Sequence, residues 1–281
     1  MGKITAYFFN ACHLAAQTRW FKRALYALLI IKALAWLYGY NLLFGPHAVI
    51  YSSPIAIQNS DDLAFFLYAQ PWPALSMVFI AAVLGLCLLQ LTAFRVYFLP
   101  DLLLWFLVVN IHNKIYSTLT GGDYLLNQFL LFNCFLTAAG SSGERWWPQL
   151  KRLLHNLAVM GIMAQLCLVY FFSAMAKCLD PMWLSGEAVF AVSQVRHYSG
   201  SSPTWQAAGF FPALLSYLVL FYQLLFPLLI WIRKIKKPFI LLGIGMHLYI
   251  AFFMGLPGFA AVMIVGYIYF WPVNSASLRE T

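Results

Sequence analysis

Residues 153–178, LLHNLAVMGIMAQLCLVYFFSAMAKC, decide the fold class. They stay apolar for longer than the about 20 residues that a membrane-spanning helix needs. Their only formal charge is Lys177, one residue from the end. Working outward, runs of the same kind, delimited by charge, proline or glycine, lie at 23–44, 73–95, 99–119, 124–140, 209–232, 238–256 and 258–273. Composition agrees: 63% of the 281 residues are hydrophobic and 9% are charged, whereas a soluble domain carries about 25% charged residues. A transmembrane strand barrel would need short alternating segments, and Ala24–Ile31 and Met77–Leu84 are instead unbroken apolar runs. The expected fold is all-α, a polytopic membrane helix bundle of about eight transmembrane helices with both termini cytoplasmic.

Charge sets the orientation. Of 17 basic residues, Lys3, Arg19, Lys22, Arg23, Arg95, Arg145, Lys151, Arg152, Arg233, Lys234, Lys236, Lys237 and Arg279 fall in segments that are inner if the N-terminus is cytoplasmic. Lys114 and Arg196 fall in outer loops, Lys32 within span 1 and Lys177 at the outer end of span 5. The net charge of +9 is therefore topological and does not imply nucleic acid. About 23 residues precede the first apolar run, which is too long for a signal peptide, so it is expected to remain as an anchor. The expected organisation is a cytoplasmic segment at 1–22, one membrane domain at 23–273 and a cytoplasmic tail at 274–281, in a bacterial-type inner membrane. Span 4, Tyr124–Gly140, is short and carries Asn127, Gln128 and Asn133, so it is expected to be re-entrant or bent against a polar cavity. Five cysteines with no CxxC and no Cys/His spacing for zinc indicate no metal site.

Ionisable groups within spans are costly, so each carries a functional hypothesis. They are Lys32, then His112 and Lys114, which with the polar Asn110 and Asn113 crowd the outer part of span 3 ahead of Gly121, Gly122 and Asp123, and finally Lys177 and His247. Plainer roles stand beside these. Lys32 could pair with a carbonyl or extend to the interface. His247 could be an interhelical hydrogen bonder, and Lys114 with Asp123 a solvated outer turn. Lys177 has the sharper case: Tyr170, Ser173 and Lys177 are spaced by 3 and 4 and share a helix stripe. Partly withdrawn from water, its neutral amine could accept a proton; the plain alternative is an interfacial lysine at a helix end.

The stretch Tyr170–Ala188, YFFSAMAKCLDPMWLSGEA, resembles the signature of the vitamin K-dependent γ-carboxylase family, more broadly the horizontally transferred transmembrane (HTTM) domain. The matching positions are Tyr170, Ser173, Ala174, Lys177, Trp183 and Gly186. His247–Met263, HLYIAFFMGLPGFAAVM, resembles the family's later helix pair. The resemblance implies that Lys177 is the base that deprotonates reduced vitamin K at the extracytoplasmic face. This starts an oxygenation whose basic product removes a glutamate γ-proton before carbon dioxide capture, a carboxylase or lyase-like chemistry. It places His247 as a second catalytic residue. Tyr170, Ser173, Trp183, Gly186, His112, Asp123, Gln223 and Arg196 become substrate-binding candidates, Asp123 as a positional substitute where the carboxylases carry a histidine. The implied cofactor is a reduced, vitamin K-like quinone.

Depth limits the pairing. At about 1.5 Å per residue, Lys177 lies roughly 36 Å beyond Leu153 and His247 about 15 Å beyond Lys237, so the two are not expected to touch unless span 7 is broken near Gly243 and Gly245. The competing function is a non-catalytic membrane subunit or maturation factor for a secreted peptide or partner protein. A transporter is a third reading, disfavoured because no inverted halves are visible. The expected partners are the lipid bilayer and a secreted peptide or membrane protein.

Overall fold

The computed structural model describes residues 7–9, 11–45, 48, 73–92, 98–137, 146–195 and 209–272. Among them every regular element is helical. In chain order these are α1 Ala15–Tyr38, α2 Tyr40–Leu43, α3 Pro73–Thr92, α4 Phe98–Lys114, α5 Gly121–Asn133 and α6 Trp146–Cys178. They are followed by α7 Pro181–Leu184, α8 Ala188–Gln194, α9 Phe210–Leu229, α10 Arg233–Phe253 and α11 Pro257–Gly266. Short 3₁₀ turns lie at Tyr116–Thr118 and Tyr267–Tyr269.

Helix occupies part of each expected span. Four helices, α3, α6, α9 and α10, are long and apolar enough to cross a membrane. The others fall short for visible reasons. α1 has 24 residues but carries Arg19, Lys22, Arg23 and Lys32. α4 has 17 residues and α5 has 13, or roughly 25 and 20 Å against a hydrocarbon core of about 30 Å. α6, at 33 residues, is roughly 50 Å long and begins seven residues before the expected Leu153. Phe210, Phe221 and Leu228 of α9, with Leu241 and Phe252 of α10, are exposed. So much outward apolar surface suits lipid and not water; this is a membrane-embedded protein.

Contacts divide the chain into two compact units, Met1–Gly161 and Ile162–Thr281. In the first, α1 packs on α3, α3 on α4 and α4 on α5, around Phe21, Leu25, Leu29, Leu104, Ile111 and Phe129. Its N-terminal strip is pinned to the start of α6: Asn156 Nδ2 donates to the carbonyls of Tyr7, Phe8 and Ala11, and the His13 amide donates to Asn156 Oδ1. Gly161 is needed there, because a Cβ would lie 2.6 Å from the Phe132 ring. In the second unit α10 packs on α11 and α9, and α9 takes α7 and α8, with Tyr170, Phe226, Tyr267 and Phe270 in the core.

Helix ends follow local chemistry. α5 starts at Gly121, three residues before the expected Tyr124, because Thr120 and Asp123 form a capping box. α7 starts at Pro181 because Asp180 caps it, its Oδ1 accepting from the Met182 amide at 2.8 Å.

Candidate functional site

Lys177 ends α6 in the second unit. Its Nζ donates to Ser173 Oγ at 2.7 Å, one helical turn back, and lies 4.9 Å from the Trp183 ring centre. The amine is partly buried, and among the described residues no carboxylate pairs with it. Trp183 arrives there because α6 stops at Cys178 and Asp180 opens α7 immediately. Lys177 and Ser173 thus meet as their spacing anticipates, and Trp183 stands beside them.

Gly186 is placed for a backbone reason. Its φ of +80° is the left-handed region that favours glycine, its carbonyl accepts from Ser216 Oγ at 3.0 Å, and a Cβ would lie 3.0 Å from Ala213 Cβ. With Ser216 Oγ also accepting from the Val189 amide at 3.0 Å, this residue docks the α7–α8 segment on α9.

Tyr170 and His247 form a separate centre. Tyr170 Oη is 2.6 Å from His247 Nε2 and also bonds Tyr267 Oη; Tyr267 Oη in turn lies 2.9 Å from Tyr222 Oη. All four side chains are buried, His247 at 1% exposure, and His247 Nδ1 has no partner. Three tyrosines and one imidazole close into a chain because Gly243, one turn before His247, leaves room: a Cβ there would sit 2.0 Å from Tyr222 Oη and 2.2 Å from Tyr267 Oη. Gln223, beside Tyr222 in sequence, leaves a buried Oε1 without a partner. The helical stripe from Tyr170 to Lys177 therefore divides, the tyrosine entering the core and the lysine ending in a half-open position. His247 bonds Tyr170 and does not bond Lys177, in keeping with the depth argument.

His112 and Asp123 meet in the first unit. Lys32 Nζ donates to Asp123 Oδ1, while Asp123 Oδ2 accepts from the Thr120 amide and hydroxyl, each at 2.8 Å. His112 Nδ1 is 2.8 Å from Asn127 Oδ1, and its unpartnered Nε2 is 3.9 Å from Asp123 Oδ1. Asp123 is 6% exposed, so the solvated turn expected for it is not what forms; the carboxylate is held by Lys32, which itself pairs with this side chain and not with a carbonyl. Lys114 is partly buried. Arg196 lies outside the described residues.

A fourth cluster escaped the sequence reading. Lys22, counted there among the inner topological charges, is 4% exposed, and its Nζ donates to Asp101 Oδ2 at 2.7 Å and to the Asn133 carbonyl at 3.0 Å. Tyr26 Oη donates to Asp101 Oδ1 at 2.6 Å and Gln90 Nε2 to the same oxygen at 3.0 Å. The available signal was Asp101 itself, one of only 8 acidic residues, standing directly after Pro100 at the head of an apolar run.

An apolar pocket of about 400 Å³ opens among α8, α9 and α10, lined in part by Val189, Leu218, Leu242, Met246 and Tyr249; Lys177, Tyr170 and His247 are not in its lining. Among the described residues no group of His, Cys, Asp and Glu is placed to hold a metal ion. No protein-family model, curated protein or solved structure matches the chain.

Proposed function

We propose that this chain is an eight-span inner-membrane protein of the HTTM, γ-carboxylase-like kind, with its N-terminus cytoplasmic. In this reading Lys177 acts as a base on a quinone-like or peptide substrate at the extracytoplasmic face. The observation that carries it is the setting of the Lys177 amine. It is partly withdrawn from water, hydrogen-bonded to the neutral Ser173 hydroxyl and covered by Trp183, with no carboxylate among the described residues to hold the ammonium form. A proton acceptor needs such a setting. A reduced vitamin K-like quinone would supply the oxygen-dependent chemistry, and Lys177 would take its hydroxyl proton while Ser173 orients the amine.

The test is consumption of reduced vitamin K by the protein in nanodiscs, read together with incorporation of labelled carbon dioxide into a glutamate peptide. Lys177→Ala and Lys177→Met should abolish both while leaving insertion and abundance unchanged. Activity retained in either variant refutes the reading.

One observation favours the alternative of a non-catalytic subunit or maturation factor. His247 and Tyr170 are closed into a buried chain, which leaves Lys177 without the second catalytic residue that the resemblance implies. On that reading Lys177→Ala preserves export or maturation of the partner, and losses map to loops 58–71 and 187–205, of which 58–71 and 196–205 lie outside the described residues.

A further inference from the structure

Two features of the second unit meet on α10. The first is charge. Arg233, Lys234, Lys236 and Lys237 place four cations within five residues, and all but the half-buried Lys236 are exposed. Neither α9 nor α10 contains an Asp or Glu, and among the described residues no carboxylate pairs with any of the four. The exposed Trp231 and Trp271 stand at the same end, with Lys237 Nζ 6.0 Å from the Trp271 ring centre. Cations and tryptophans together mark the depth of lipid headgroups. Topology alone would explain such charges, but it requires no cavity beneath them. The second feature is that cavity, the apolar pocket of about 400 Å³, to which α9 contributes Leu218 and Val219. Lys234, Leu241, Gly245 and Tyr249 follow one another at intervals of 7, 4 and 4 and share a stripe of α10, and the last three line the pocket. Gly245 keeps it open, since a Cβ there would meet nothing within 4 Å. Leu241 is exposed beside it, so the pocket opens on the lipid-facing side of α10. An apolar cavity of this kind does not hold water. Its depth is that of one leaflet: Leu241 and Tyr249 lie roughly 6 and 18 Å beyond Lys237, and half of the hydrocarbon core is about 15 Å.

We infer that this is a binding site for one anionic phospholipid of the leaflet at the Arg233 end of α10, its phosphate held by Lys234 and Lys237 and one acyl chain lying in the pocket between α9 and α10. Arg233 and Lys236 lie off the stripe and add to the attraction, because basic side chains beside a membrane span draw anionic headgroups. The head accounts for four cations without a carboxylate partner, and the chain accounts for an apolar cavity one turn below them. A zwitterionic head would bring its own cation against these four, and a neutral isoprenoid would fill the pocket and leave the charges unanswered. A soluble phosphate would do the reverse. The site is separate from Lys177, which is not in the pocket lining, so it does not rest on catalysis there.

The probe is dioleoyl phosphatidylglycerol, titrated against dioleoyl phosphatidylcholine onto the full chain in detergent micelles and read by native mass spectrometry. The native protein should bind one phosphatidylglycerol at least about tenfold more tightly than phosphatidylcholine with the same chains, and the preference should shrink as salt rises. Lys234→Gln combined with Lys237→Gln should abolish the preference. Gly245→Leu, which fills the pocket, should weaken both lipids at least about fivefold and keep the preference. Glycerol phosphate, a head without chains, should not compete. Equal affinity of the native protein for the two lipids overturns the inference, as does native-level phosphatidylglycerol binding by either variant. Competition by glycerol phosphate at the lipid's own concentration, or displacement of the lipid by an equimolar neutral isoprenoid, overturns it as well. The lipid comparison and both competitions use the native chain, so they decide the matter even if a variant fails to fold.

Discussion

Gly243→Ala adds a single methyl group where Tyr222 Oη and Tyr267 Oη would lie 2.0 and 2.2 Å from it, with Tyr222 Cζ at 2.8 Å. Neither ring can step aside freely. Tyr222 stacks on Phe239 at 4.6 Å between centres, and Tyr267 packs against Phe226 at 5.8 Å. Overpacking a filled core costs about 1–3 kcal/mol. Separating the Tyr222–Tyr267 hydrogen bond adds about 0.6–1.7 kcal/mol at membrane depth, and the helix preference for alanine over glycine returns about 1 kcal/mol. The net loss is about 1–4 kcal/mol. Gly245→Ala, two residues on, meets nothing within 4 Å and should be neutral or stabilising by up to about 1 kcal/mol. Both variants are compared with the native protein by equilibrium unfolding in mixed micelles. Equal stability of Gly243→Ala and Gly245→Ala would show that the tyrosine–histidine chain is not packed as described.

Lys32→Met and Asp123→Asn should each destabilise more than their combination predicts, with a coupling of about 1–3 kcal/mol in a double-mutant cycle, because each single change strands a largely buried charge; additive losses would argue against the pair. Gly186→Ala forces a left-handed residue to carry a Cβ against Ala213 and should cost about 1–2 kcal/mol, seen as faster proteolysis at the α7–α8 turn. Asn156→Ala removes the bonds that hold Tyr7, Phe8, Ala11 and His13 and should raise N-terminal cleavage by limited proteolysis at least about tenfold; unchanged cleavage would mean that these residues are held by other contacts.

Much of the fold was legible because hydrophobic length is a one-dimensional property. The run 153–178 needs no partner to be read as a helix, and α6, α9 and α10 lie where their apolar runs lie. The Lys177–Ser173 contact was equally accessible, since residues four apart on a helix are neighbours whatever the tertiary structure. Even the early start of α5 was written locally, in the Thr120–Asp123 capping box.

Other features were decided by packing alone. Nothing in the chain says that Lys22 leaves the solvent to meet Asp101, a residue 79 positions away, or that Lys32 finds Asp123 across 91. Spacing put Tyr170 and Lys177 on one stripe, yet only the neighbouring helices sent the first into a buried chain with His247 and left the second partly open. The reason is physical. A sequence fixes which groups dislike lipid, because that cost belongs to each side chain separately. Which groups satisfy one another depends on distances between helices, and those exist only once the helices have packed.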